Sequence, residues 1–405
     1  MPNGLFGTKV PACQNIINRK SLISLSSKVS DTVDSYKYSE KLEDHCGKSK
    51  LYVYKSQSGE EVICKRHDKV RGEAAMHRLV NNIPGVVRMI KGGTFIHEHE
   101  GISDSNCLFL EKYEGDLSKL LEIRTDRSRK AGNLGAPFTV EEALPHMVRL
   151  LTTLEIMHSR NIFHGDIKPH NVFYDNEETL YLADFDLSVL YDKRRMENFR
   201  KAKEAYNSGV NADYLKALSI DYWPGTYIYG APENLVVNDA FLHVGPKYPV
   251  SDIWSLGCVF FEMFTSRRFN STKFYKSEDG KRLLYEETRL GDCEPLNLIR
   301  NVTEDMNRKG FEIYDKDWEK VASKIGKDGY SAMTALHSFL VHAVPGKSIS
   351  ASDVGNLKSL FKGMLDPNFL TRLSAKECLE NPLFKDHLHI HEAMWKEYSC
   401  TQGIN

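Results

Sequence analysis

The period of the apolar residues changes near position 113, and this constrains the fold more than any other feature of the chain. From about residue 41 to 112, short runs rich in β-branched, aromatic and aliphatic residues dominate, at 51–54, 62–65, 86–90 and 107–110. These read as strands. One helical segment, 71–80, interrupts them. Past 113 the spacing becomes helical: Leu144, Met147, Val148, Leu151, Leu154 and Met157 recur three or four residues apart and mark one apolar face. Thr139 and Glu142 are spaced for a capping box at the start of that helix, and Pro145 removes a backbone donor from it. Strands followed by helices predict an α+β fold in two lobes, an arrangement that commonly binds ligands between the lobes.

Composition narrows the class. At about 150 residues per domain, 405 residues suggest two or three units, and 41% hydrophobic content can fill a sizeable core. The 54 Lys+Arg against 55 Asp+Glu exert no bulk pull towards nucleic acid or anionic lipid, which leaves only local patches, and no nucleic-acid partner is expected. Eight scattered cysteines without a C-x-x-C pair predict free thiols in a reducing, cytoplasmic compartment rather than a zinc cluster or disulfide framework. No apolar run is long enough for a membrane span, and 253–264 reads as a buried helix. Pro2 stands where N-myristoylation needs glycine. A soluble intracellular protein is expected.

The chemistry concentrates in His164-Gly165-Asp166-Ile167-Lys168-Pro169-His170-Asn171, followed after two short hydrophobic runs by Asp184-Phe185-Asp186. Oxygen-bearing side chains and a lysine, separated by a hairpin, suit phosphoryl transfer. Asn171 and Asp184 offer hard oxygen ligands to Mg²⁺. Asp166 can accept the proton of an attacking hydroxyl, and Lys168 can offset charge on the moving phosphoryl group. Read blandly, the same residues are an ordinary loop with surface charges.

Together with three later motifs, this segment resembles the eukaryotic-type protein kinases of the serine/threonine subclass, over roughly residues 41–384. The loop H-R-D-x-K-P-x-N appears as HGDIKPHN. Residues 225–233 read GTYIYGAPE, residues 251–257 read SDIWSLG, and RLSAKE at 372–377 precedes NPLF at 381–384. The resemblance implies a bilobal fold with a small β-rich N-lobe (41–112) and a larger helical C-lobe (113–384). It leaves a polar extension (1–40), insertions near 124–136 and 266–350, the former expected as an exposed loop, and a tail (385–405). It implies an enzyme that uses ATP and Mg²⁺ and phosphorylates Ser or Thr of a protein substrate. Asp166 would be the base, Lys168 its partner, and Asn171 and Asp184 the metal ligands. Lys65, in Val62-Ile63-Cys64-Lys65, would contact the α- and β-phosphates and pair with Glu73. The Glu111 carbonyl and the Tyr113 amide would meet the adenine edge. Thr226 belongs to the activation segment, Glu233 should pair with Arg372, and Asp252 should hold the catalytic-loop backbone.

The chain also departs from the family's pattern. Between Leu42 and Leu51 only Gly47 remains of the glycine-rich loop that lets backbone amides approach phosphates, leaving Lys48 or Lys50 to compensate by charge. Gly47-Lys48-Ser49 is no Walker A loop, because Leu42 stands where that loop needs glycine. Gly165 replaces an arginine that often reads a phosphorylated activation segment, so control by that route is not expected. Asp186 replaces a glycine and is expected to tolerate positive φ there. The segment from Asp184 to Glu233 is long for the family, and six basic residues in 192–204 suggest either a solvated face or a dock for an acidic partner. His97/His99 and His387/His389/His391 read as surface histidines, with a metal site as the alternative. A pseudokinase acting as a nucleotide- or protein-binding scaffold is the rival function. The source could be a divergent eukaryotic, viral or bacterial-effector kinase, which would place the protein in a host-cell cytoplasm.

Overall fold

The computed structural model describes residues 36–42, 49–67, 69–97, 102–132, 135–208, 221–222, 225–234, 244–245, 248–269, 272–276, 283–287, 350–366 and 368–402. Gly47, Lys48 and His99 lie outside the described residues, as do 1–35 and 288–349.

The first part is a five-stranded antiparallel sheet crossed by one helix. Its elements are β1 (Tyr36–Leu42), β2 (Lys50–Ser56), β3 (Glu61–Arg66), α1 (Val70–Val80), β4 (Met89–His97) and β5 (Ile102–Glu111), with strand order β1-β2-β3-β5-β4. Strand β1 begins inside the polar extension expected to end at residue 40. Tyr36 and Tyr38 alternate with polar residues, and Tyr38 packs edge-on against Tyr52 and Tyr54. Val86, expected within a strand, makes only a bridge to Leu182, and β4 starts at Met89.

Period-2 alternation gives the sheet two apolar faces. Val62 and Cys64 join Tyr52, Tyr54, Cys107 and Phe109 on one side. On the other, Leu108 and Leu110 pack with Val70 and Ala74 of α1 and with Ala183. Lys65 is paired with Leu108, and Ile63 with Leu110, so both belong to this second face. A one-residue slip of β3 would turn Lys65 away from α1.

The second part follows as β6 (Gly115–Asp116), α2 (Leu117–Lys130), α3 (Val140–Ser159), β7 (Ile162–Phe163), β8 (Val172–Tyr174), β9 (Leu180–Leu182), β10 (Val189–Leu190), α4 (Lys193–Asn207), α5 (Pro249–Thr265), α6 (Ala351–Met364), α7 (Ala375–Leu379) and α8 (Leu388–Thr401). The loop expected over 124–136 is instead helical as far as Lys130. No glycine or proline breaks the chain before Gly132, and Asp116 caps α2 through the Lys119 amide at 3.0 Å. Arg124 is drawn inward to pair with Glu178 and stack over Phe138 at 4.2 Å. Of the polar stretch 266–350, the described part holds an antiparallel strand pair, Thr272–Lys276 with Leu283–Glu287.

Helix α3 carries the expected capping box and runs on through Pro145. It buries more than the one expected face, because Leu150 and Ile156 are also fully covered. Helix α5 is buried on nearly every side, as its apolar composition demands. One apolar cluster joins α2, α3, α5, α6 and α7. Helix α8 lies on α3, where His391 Nε2 and Trp395 Nε1 reach the same Glu155 oxygen at 2.7 and 2.9 Å. His391 is therefore engaged within the chain, and among the described residues no group of three His, Cys, Asp or Glu could hold a metal. Among them, too, no helix is long and apolar enough to cross a membrane.

Candidate active site

The two parts meet at an ion-pair cluster. Lys65 Nζ, from β3, lies 2.9 Å from Glu73 Oε1 of α1 and 2.7 Å from Asp184 Oδ1 in the turn after β9. Burial works against the Lys65 ammonium, but the two carboxylates outweigh it and hold its pKa above the ordinary lysine value. Burial likewise pushes the Asp184 carboxyl up, and Lys65 reverses that effect, leaving it below the usual carboxylate value. Both groups are therefore charged near neutral pH.

The loop after β7 is organised around a second carboxylate. Asp166 Oδ2 accepts from Lys168 Nζ at 2.7 Å and from Asn171 Nδ2 at 3.1 Å. Asp166 Oδ1 accepts the Thr226 amide and hydroxyl at 3.0 and 2.9 Å. Lys168 also reaches Thr226 Oγ1 at 3.0 Å, so residues sixty positions apart in sequence share one network. Asn171 donates again to the Asp166 carbonyl at 2.9 Å. With its nitrogen committed twice, its amide oxygen is the end left to meet a cation. That oxygen and the partly exposed Asp184 carboxylate form the hard donor set that Mg²⁺ prefers.

Beneath this network, Asp252 of α5 holds the loop backbone. Its oxygens accept the His164 and Gly165 amides, both at 2.9 Å, and His158 Nε2 lies 3.0 Å away. Burial raises the Asp252 pKa, but His158 and these donors more than reverse the effect. Glu233 and Arg372 are both fully buried and form a bidentate pair at 2.6 and 2.8 Å. The fold thus brings together Lys65 with Glu73, Asp252 with the loop backbone, and Glu233 with Arg372. Glu111 pairs with Arg88 at 3.0 Å at the end of β5, and the Tyr113 ring packs 5.0 Å from Tyr181 against the apolar face that holds Leu108 and Leu110.

One backbone expectation changes, and Gly165 gains a backbone role. Asp184, not Asp186, takes the left-handed conformation, at φ 65°. Asp186 lies within the 3-10 turn that follows and does not need positive φ. Gly165 sits at φ +81°, where a Cβ would meet the Leu187 carbonyl oxygen at 2.7 Å. Backbone geometry favours glycine there, a reason separate from the missing arginine.

Sequence reasoning also assigned no role to the histidines at 67, 77 and 164. The His77 and His164 rings each lie 5.0 Å from the fully buried Phe185 ring. His164 Nδ1 accepts the Asp166 amide, so Nε2 carries the proton and donates to the Ala183 carbonyl at 2.9 Å. His67 Nε2 lies 2.7 Å from Glu73 Oε2. The signals were readable: His77 stands one helical turn beyond Glu73, and His67 two residues beyond Lys65.

A family model described as the protein kinase domain matches residues 42–384. The chain is 26% identical over 295 residues to a serine/threonine-protein kinase of Yarrowia lipolytica, covering 72% of this chain and 36% of that protein. It is 25% identical over 284 residues to the serine/threonine-protein kinase AFC1 of Arabidopsis thaliana, covering 69% and 54%. To cyclin-dependent kinase 1 of Encephalitozoon cuniculi it is 29% identical over 190 residues, covering 45% and 51%. The matched region spans about a third to a half of the length of these relatives.

Proposed function

The chain belongs to the protein kinase family, and from that membership we propose that it transfers the γ-phosphoryl group of ATP to a serine or threonine hydroxyl of a protein. The observation that carries this reading is the pair of organised carboxylates, Asp184 against Lys65 and Asp166 within the Lys168–Thr226–Asn171 network.

Bound magnesium would supply charge neutralisation on the phosphates, and Asn171 and Asp184 are the residues that would hold it. Lys65, fixed between Glu73 and Asp184, presents its ammonium to the α- and β-phosphates. The Glu111 carbonyl and the Tyr113 amide position the adenine edge. Asp166 accepts the proton of the attacking hydroxyl. Lys168, already on Asp166, stabilises the charge that develops as the phosphoryl group moves. Catalysis then comes mainly from positioning and electrostatics rather than covalent chemistry. Free thiols at all five described cysteines support a cytoplasmic location, that of a host cell if the protein is an effector.

Phosphotransfer on a peptide array, with wild type and Asp166→Asn side by side, tests the proposal. The variant should fold normally and transfer nothing measurable, and undiminished transfer would remove the mechanism. The glycine-poor stretch before Leu51 favours a second reading, a scaffold that retains the fold without the chemistry. No thermal shift with ATP and Mg²⁺, together with no transfer to any peptide, would select it.

A further inference from the structure

Glu73 carries a donor on each carboxylate oxygen. Lys65 occupies Oε1 at 2.9 Å, and His67 approaches Oε2 at 2.7 Å. The Glu73 side chain is 1% exposed, so loss of either donor would strand a buried acceptor. The His67 ring is fixed in turn, because its Nδ1 accepts the Lys69 amide at 3.2 Å. The lone pair is therefore at Nδ1 and the proton at Nε2, which donates to Glu73. The His67 carbonyl accepts the Val70 amide at 3.1 Å and so opens α1 itself. One residue thus ties the end of β3, the first turn of α1 and the Glu73 carboxylate into a single unit.

Chain length makes this contact possible. Only eight positions separate Lys65 from Glu73, and three residues lie between β3 and α1. A short connection brings the residue after the strand within reach of the helix's first acidic side chain. With Lys65 alone as partner, rotation of α1 would break the pair. A second donor from the strand side opposes that rotation.

We propose that His67 is a positioning residue of the catalytic centre, holding Glu73 so that Lys65 stays in place for the nucleotide phosphates. The proposal rests on the phosphoryl-transfer reading and adds a third member to the Lys65–Glu73 pair. The test is steady-state kinetics of the full chain with MgATP for His67→Ala, His67→Gln and His67→Asn. The expected loss for His67→Ala is about tenfold in kcat/KM for MgATP, the equivalent of one charge-assisted hydrogen bond. Gln places an N–H near the position of Nε2 and should recover most of it. Asn can serve only the Lys69 amide and should not. Wild-type kinetics in His67→Ala, or equal impairment in all three variants, would overturn the proposal. If the wild type itself transfers nothing, the phosphoryl-transfer reading fails separately. The ¹⁵N resonances of His67 then decide its placement: protonation at Nε2 keeps it, and protonation at Nδ1 removes it.

Discussion

Gly165 shows how one residue can answer to two pressures. In sequence it is a missing arginine, and in the fold it is a left-handed residue pressed against the Leu187 carbonyl. Gly165→Ala should destabilise the protein by about 1–3 kcal/mol, since a Cβ at positive φ is strained and the facing atom is backbone. Because the Gly165 amide donates to Asp252, the same change should displace the loop that carries Asp166. Urea unfolding and phosphotransfer measured on one preparation check both effects. An unchanged unfolding midpoint would show that the Leu187 carbonyl can yield. The missing arginine was legible in the sequence, but the positive φ was not, because it follows from where the turn after Asp184 lies.

Among the elements, α4 is the one whose role changed most. Its six basic residues suggested either a docking face or a solvated one. In the structure Arg200 pairs with Glu197 and Glu204, and Lys203 reaches Glu377 at 3.1 Å. The buried side of α4 is what anchors it. Phe199 stacks on Tyr248 at 4.2 Å and 13°, with Phe369 beyond, and Ala202 is fully covered. Phe199→Ala should cost about 3–5 kcal/mol of local packing and release this part of the activation segment. Limited proteolysis checks this: cleavage within 193–207 should quicken while cleavage within α3 and α5 does not. Equal cleavage rates would show that the salt bridges suffice. The basic residues of α4 could be read from the sequence, but the partners of its buried side, Tyr248 and Phe369, lie far along the chain.

For the whole molecule, two histidines make stability depend on pH. Burial pushes His77 of α1 and His146 of α3 down to about 4, from an ordinary value of 6.5. A depressed histidine pKa means that the unfolded chain binds the proton more readily. Stability is therefore complete above about pH 6.5 and falls as pH drops towards 4. Each site contributes up to about 3 kcal/mol over that window. Denaturant unfolding at steps from pH 7 to 4.5 should show the decline, and His77→Leu should make it shallower. The same slope in both proteins would assign the acid sensitivity elsewhere.

The local pattern of residues by itself determined the strand-to-helix order, the capping box of α3 and the burial of α5, while the expected site residues came from the resemblance of short motifs to a family. These follow from side-chain period and from short motifs, which are properties of neighbours in the chain. Tertiary structure alone decided that Thr226 would close on Asp166 and that Asp184 rather than Asp186 would take the left-handed turn. The strand from Tyr36 belongs with these, since it depends on β2 as its partner. A hydrogen bond or ion pair between distant residues is set by the three-dimensional path of the backbone, and local sequence does not encode that path one contact at a time.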